Sequence, residues 1–124
     1  MRRASASGWR PRRVAEAVRE TVTDFLREEA RDPRIGMVTI TDVEVSGDLQ
    51  HAIVRFVVHG DAKEREDTLE GLTNAVPAVR RRLGGRLRLR LVPELVFEPD
   101  LAQDHAQRIE TLLAKLRRQE DPPP

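Results

Sequence analysis

Arginine and leucine alternate strictly, R-L-R-L-R-L, over residues 86–91, and no other feature constrains the fold as much. Side chains of a β-strand point alternately to its two faces, so Arg86, Arg88 and Arg90 take one face and Leu87, Leu89 and Leu91 the other. A sheet with one buried face needs this pattern. The preceding V-P-A-V-R-R-R-L reads as a helix that Gly84-Gly85 ends, because a glycine in the left-handed conformation is the usual helix cap. The predicted strand runs from Arg86 to Phe97, with Pro93 marking an edge or a bulge. Six arginines lie between Arg80 and Arg90 without an acid among them. The planar guanidinium donates two hydrogen bonds at once to phosphate oxygens, so a phosphate-bearing polymer suits this cluster. A solvated polar face explains an isolated alternating strand about equally well.

Charge elsewhere is just as uneven, although the formal net charge is only +1. Residues 1–13 carry five arginines and no acid, while residues 61–70 carry five acids against two bases. This asymmetry points to nucleic acid more than the balanced total does. Arginine outnumbers lysine 20 to 2, so arginine placement says more than arginine identity. The 124 residues suit one domain with a single core. With no cysteine there is no disulfide framework, thiolate metal site or cysteine nucleophile. No apolar run reaches the roughly 18 residues of a membrane span, and the basic N-terminus lacks the apolar stretch of a secretory signal. A cytoplasmic protein without a membrane partner is expected. One Trp, three Phe and no Tyr leave few platforms for base stacking.

Taken in order, residues 1–11 read as a flexible basic arm holding Arg10, with Trp9 its one large apolar side chain. A helix is predicted from Arg12 to about Ala30, with Val14, Val18, Val22, Phe25 and Leu26 on one face and Glu16, Glu20 and Asp24 giving it an acidic side. It stops near Asp32-Pro33. Ile35–Val45 and Leu49–Val58 read as two strands of an antiparallel hairpin around Ser46-Gly47-Asp48. The first strand changes phase at Thr41-Asp42, which a bulge explains. Helix follows from Ala62 to about Leu83, with Leu69, Leu72, Val76, Val79 and Leu83 as its seam. Pro77 predicts a break at Asn74-Ala75-Val76 and a second helix starting around the proline. Asp100 caps a last helix, Leu101 to about Leu116, and residues 117–124 read as a flexible tail.

The fold class is therefore α+β, in the order α-β-β-α-kink-α-β-(α), with a three-stranded sheet and helices on one face. That order resembles a type II K-homology (KH) domain, an RNA-binding fold whose middle helices normally flank a G-x-x-G loop. Here the junction, Asn74-Ala75-Val76-Pro77, has no glycine. Four stretches carry a closer resemblance: R-R-V-A-E-A-V-R-E from Arg12, D-P-R-I-G-M-V-T-I-T-D-V-E-V-S-G-D-L from Asp32, L-T-N-A-V-P-A-V-R-R-R-L, and R-L-R-L-R-L-V-P-E-L-V-F-E-P-D from Arg86. Over residues 12–116 the chain resembles the ribosome-binding factor A family. The resemblance implies a KH-like domain that binds the assembling small (30S) ribosomal subunit and its 16S rRNA. It implies help with late maturation and 5′-end processing of that rRNA, without catalysis or cofactor, and release aided in some bacteria by an assembly GTPase. The family's kink, A-x-G, falls on Ala75-Val76-Pro77, with proline in the glycine's place. A monomer is expected.

The RNA-contact candidates are Arg80, Arg81, Arg82, Arg86, Arg88 and Arg90, extended by Arg12 and Arg13. At 100° per residue, Arg80, Arg81 and Arg82 cannot share one surface, and Arg81 and Arg82 are the better placed outward. Such contacts would position RNA in a salt-dependent way without reading its bases. The resemblance adds Ala75, Val76 and Pro77, and Asn74 either bonds RNA or caps a helix. Two rivals remain. A protein-binding adaptor would use the acidic side of the first helix or the segment Asp61–Glu70. A metal-dependent hydrolase would use Asp100, Asp104 and His105, although a cap on a solvated helix explains these better. His51 and His59 imply no third ligand, and no metal is expected.

Overall fold

The computed structural model describes residues 2–28, 32–87 and 91–120. The elements are α1 (Arg2–Glu28), β1 (Val38–Val45), β2 (His51–Val58), α2 (Ala62–Arg86), β3 (Glu94–Pro99) and α3 (Leu101–Glu120). β2 is the central strand, antiparallel to β1 and parallel to β3. The predicted bulge is present: register shifts between Ile40 and Asp42. It keeps Val38 and Ile40 on the same face as Val43 and Val45, opposite Val58, Phe56, Val54 and Ala52. In the hairpin turn the Ser46 hydroxyl donates to Asp48 at 2.7 Å, and Asp48 accepts the Gln50 N–H at 3.1 Å. Leu49 has φ of 63°, a left-handed backbone that shortens the predicted second strand to begin at His51.

α1 and α2 cover one face of the sheet. Val14, Val18, Val22 and Phe25 of α1 meet Leu72, Val79 and Leu83 of α2 over Ala52, Val54, Phe56, Leu95 and Phe97. Phe56 and Phe97 pack edge to face at 6.4 Å. The connector from Asp32 is strapped to α2. Thr68 donates its hydroxyl to the Arg34 carbonyl at 3.3 Å and accepts the Gly36 N–H at 3.2 Å. Arg34 bridges Asp32 at 2.6 Å and Glu70 at 2.8 Å. The Arg34 bonds hold the Asp32 carboxyl down at about 2. Gly71 is required at this crossing, because a Cβ there would lie 2.7 Å from Ile35 Cγ1.

Four expectations need correction. α1 begins at Arg2, so helical backbone occupies most of the expected arm, and Pro11 lies inside it. Arg2, Arg3, Ala4 and Ala6 are good helix formers, which a reading by net charge undervalues. α2 is one helix, with Pro77 in its interior and no break at Asn74-Ala75-Val76. Leu72, Val79 and Leu83 are fully or nearly fully buried on both sides of the proline and hold the helix through the lost hydrogen bond. α2 also passes through Gly84-Gly85, and no glycine among the described residues has positive φ. Leu87 ends it in an extended conformation, its N–H donating to the Leu83 carbonyl at 2.8 Å.

The fourth correction concerns the alternating stretch. Arg86 is the last residue of α2, Leu91 lies in a bend and is 74% exposed, and β3 spans only Glu94–Pro99. Arg88, Leu89 and Arg90 lie outside the described residues. The alternation that builds the sheet is E-L-V-F-E, with Leu95 and Phe97 buried and Glu94, Val96 and Glu98 exposed. Pairing starts where the Glu94 N–H meets the Gln50 carbonyl at 2.8 Å.

α3 leaves β3 at Asp100, which accepts the Thr41 hydroxyl at 2.6 Å and the Gln103 N–H at 3.2 Å. Those bonds lower the Asp100 pKa, with Thr41 the larger cause. α3 reaches one end of the sheet's second face, where Gln103, Ala106 and Glu110 lie by Thr39 and Val57. Its predicted apolar side, Ile109, Leu112, Leu113 and Leu116, is exposed.

Candidate nucleic-acid interface

The arginines of α2 separate by what their guanidinium groups touch. Arg80 turns toward the start of β3 and donates to the Pro93 carbonyl at 3.0 Å and the Val92 carbonyl at 2.9 Å. Arg82 pairs with Glu28, and Arg86 pairs with Asp24 at 2.8 Å and Glu20 at 3.9 Å. These pairs lace the end of α2 to α1, which runs alongside in the opposite direction. Arg86 is the main reason the Asp24 pKa is lowered, with Arg27 and Arg82 adding to it. The acidic side of α1 is therefore largely neutralised from within. Arg81 is exposed and makes no hydrogen bond or ion pair among the described residues.

The start of the described α1 surface meets this same end of α2. Arg10, Arg13, Glu16 and Glu20 line a groove of about 370 Å³ with Arg86 and Leu87. Arg13 and Arg86, remote in sequence, are thus brought together, while Arg12 stands exposed on α1. Arg88 and Arg90 belong to the segment outside the described residues that follows Leu87. At the expected kink, Asn74 and Pro77 are exposed, and Ala75 and Val76 pack partly against the core. Asn74 caps nothing, because the helix continues past it.

The second face of the sheet has the opposite character. Arg55 sits at its centre with Asp42 at 3.0 Å, Glu44 at 2.9 Å and Glu98 at 3.7 Å, leaving an excess of negative charge. This face was not singled out from sequence. The signal was present in the alternating acids of T-D-V-E-V and E-L-V-F-E. Three carboxylates about one guanidinium leave this face repulsive to phosphate. Asp100, proposed for a metal, is occupied by its bonds to Thr41 and Gln103. Among the described residues no three potential ligand side chains cluster, and the Asp104 side chain lies outside them. Among the described residues no helix is long and apolar enough to cross a membrane.

Known proteins share this architecture. A Halothermothrix orenii protein, ribosome-binding factor A, is 42% identical over 112 residues, covering 90% of this chain and 92% of its own. The crystal structure of ribosome-binding factor A from Thermus thermophilus superposes with a TM-score of 0.62 at 22% identity, over 72% of this chain and 94% of that one. A Thermus thermophilus homology model of the factor, fitted into a cryo-EM map of its 30S complex, gives 0.54 at 26% identity, over 72% of this chain and 89% of that one. The family model for ribosome-binding factor A matches residues 10–113, from the first described side chain of α1 into α3. The chain belongs to the ribosome-binding factor A family.

Proposed function

We propose that this protein binds the small ribosomal subunit during its assembly and favours one conformation of the 16S rRNA, without covalent chemistry. Family membership over residues 10–113 carries this reading, and a Thermus relative fitted into a 30S complex supports it. A ligand that binds one of two RNA conformations more tightly shifts the population by that difference, so no catalytic group is needed. Late maturation and processing at the rRNA 5′ end belong to the same proposal, as do a monomeric state and release aided by an assembly GTPase.

On this reading, phosphates lie along the edge formed by Arg12, Arg13, Arg81 and Arg86, with Arg88 and Arg90 as further candidates. Asn74 and Pro77 lie within α2 and are exposed, and on this reading they face the same partner. Arg80 and Arg82 act differently: they fix the scaffold on which the others stand, a task that Arg86 shares through Asp24 and Glu20. The adaptor alternative loses support, because Glu20, Asp24 and Glu28 pair internally. Asp61 and Glu64 are likewise used in a reciprocal helix cap.

Charge reversal tests the surface. The double variant Arg81→Glu with Arg88→Glu is expected to stop co-sedimenting with free small subunits while keeping the wild-type circular dichroism spectrum. Undiminished co-sedimentation would remove the arginine edge from the proposal.

A further inference from the structure

β1 lies at the edge of the sheet, with β2 on one side only. The His59 N–H donates to the Met37 carbonyl at 3.0 Å. Bonded and non-bonded pairs alternate along an antiparallel ladder, so Thr39 exchanges its backbone bonds with Val57, its partner in register. Val38 and Ile40, one residue to either side, therefore turn their backbone N–H and C=O groups away from β2.

Beside this stretch lies a cleft of about 540 Å³. Arg19, Thr23 and Leu26 of α1 form one wall, Ile35 its end, and Val38 and Ile40 the other wall. Leu26, Ile35, Val38 and Ile40 are only partly buried, so the cleft offers apolar surface next to backbone groups with no hydrogen bond among the described residues. A strand edge facing a helix wall is the geometry in which an extended peptide joins a sheet, its backbone supplying affinity and its alternate side chains specificity. Arg19 is exposed and has no ion pair or hydrogen bond among the described residues, whereas Asp32, on the same cleft, is already bonded to Arg34. The unmatched charge is therefore positive. None of the cleft's lining residues is aromatic, so it lacks a stacking platform for a base.

We propose that the β1 edge and the α1 wall form a docking groove for an extended, acidic peptide segment of a protein partner. The segment pairs with the outward backbone groups of Val38 and Ile40, sets apolar side chains against Leu26 and Ile35, and places a carboxylate on Arg19. The bulge at Thr41 ends the groove, so the added strand is short. This site lies on different residues from the arginine edge and does not depend on RNA binding there.

The test takes the full chain as bait for a random heptapeptide phage library, then titrates the synthetic consensus peptide into ¹⁵N-labelled protein. The expected consensus alternates apolar residues and contains a Glu or Asp, and the shifted amides cluster on residues 38–40 and 19–27. Val38→Pro removes an outward N–H that the ladder does not use, at a strand start where proline is tolerated, and is expected to weaken the peptide at least tenfold. Arg19→Glu, a surface change that leaves the strand intact, is expected to weaken it similarly. No enriched consensus, shifts elsewhere, or full affinity in Arg19→Glu would each overturn the proposal. Self-association that Val38→Pro abolishes would give the edge to a second copy. The same amides shifting with a single-stranded RNA oligonucleotide would give it to RNA. Either result would also overturn it.

Discussion

Arg80, Arg81 and Arg82 are consecutive and chemically identical, yet they have three environments. Arg80 holds the carbonyls of Val92 and Pro93, Arg82 pairs with Glu28, and Arg81 faces solvent. Helical geometry alone shows that the three diverge. It does not show where each ends, because the partners of Arg80 lie 12 and 13 residues away in sequence and that of Arg82 lies 54 away. The difference is measurable. Arg80→Met keeps the apolar stem and removes the donors, leaving two backbone carbonyls without their partner. It is expected to lower stability by about 1–3 kcal/mol in urea unfolding. Arg81→Met is expected to change it by less than about 0.5 kcal/mol. Equal stabilities for the two variants would mean that Arg80 is not the clamp on β3.

At the scale of elements, α2 shows what pattern reading captures and what it misses. Its seam was legible, since Leu72, Val79 and Leu83 are buried as their spacing requires. The bulge in β1 was legible too, because the phase change at Thr41 has one simple geometric cause. The helix starts at Ala62 and Leu101 were legible as well, but the expected breaks at Pro77 and Gly84-Gly85 were not. Proline and glycine signal a break by local preference, and burial on both sides outweighs a preference of about 1 kcal/mol for glycine or about 3 kcal/mol for proline. The extent of β3 was not legible either. Its pairing is set by contacts with Gln50 and Phe56, and an R-L-R-L run looks the same whether or not a strand lies beside it. Because Pro77 is exposed inside a helix, Pro77→Ala returns an N–H to the Thr73 carbonyl without disturbing the core. It is expected to raise stability by about 1–3 kcal/mol. A lower melting temperature in this variant would show that the helix is bent there to the protein's advantage.

The whole molecule is polarised in a way that its net charge of +1 conceals. One sheet face collects Asp42, Glu44 and Glu98 about a single arginine, while the edge of α1 and α2 presents Arg12, Arg13, Arg81 and Arg86. The basic edge was legible as a cluster of arginines, but its composition was not. Arg13 joins it only because α1 and α2 run side by side in opposite directions, and Arg80 leaves it for a structural role. Such a molecule should approach a polyanion in one orientation. Neutralising several phosphates makes affinity fall steeply with salt, whereas an apolar protein contact changes little. The most direct measurement is co-sedimentation of the wild-type protein with immature and mature small subunits at low and at raised salt. Binding that favours the immature particle and falls at least tenfold between about 50 and 200 mM salt is the expected result. No binding to either particle, or affinity that does not respond to salt, would contradict the proposal that this protein binds the small subunit through its arginine edge.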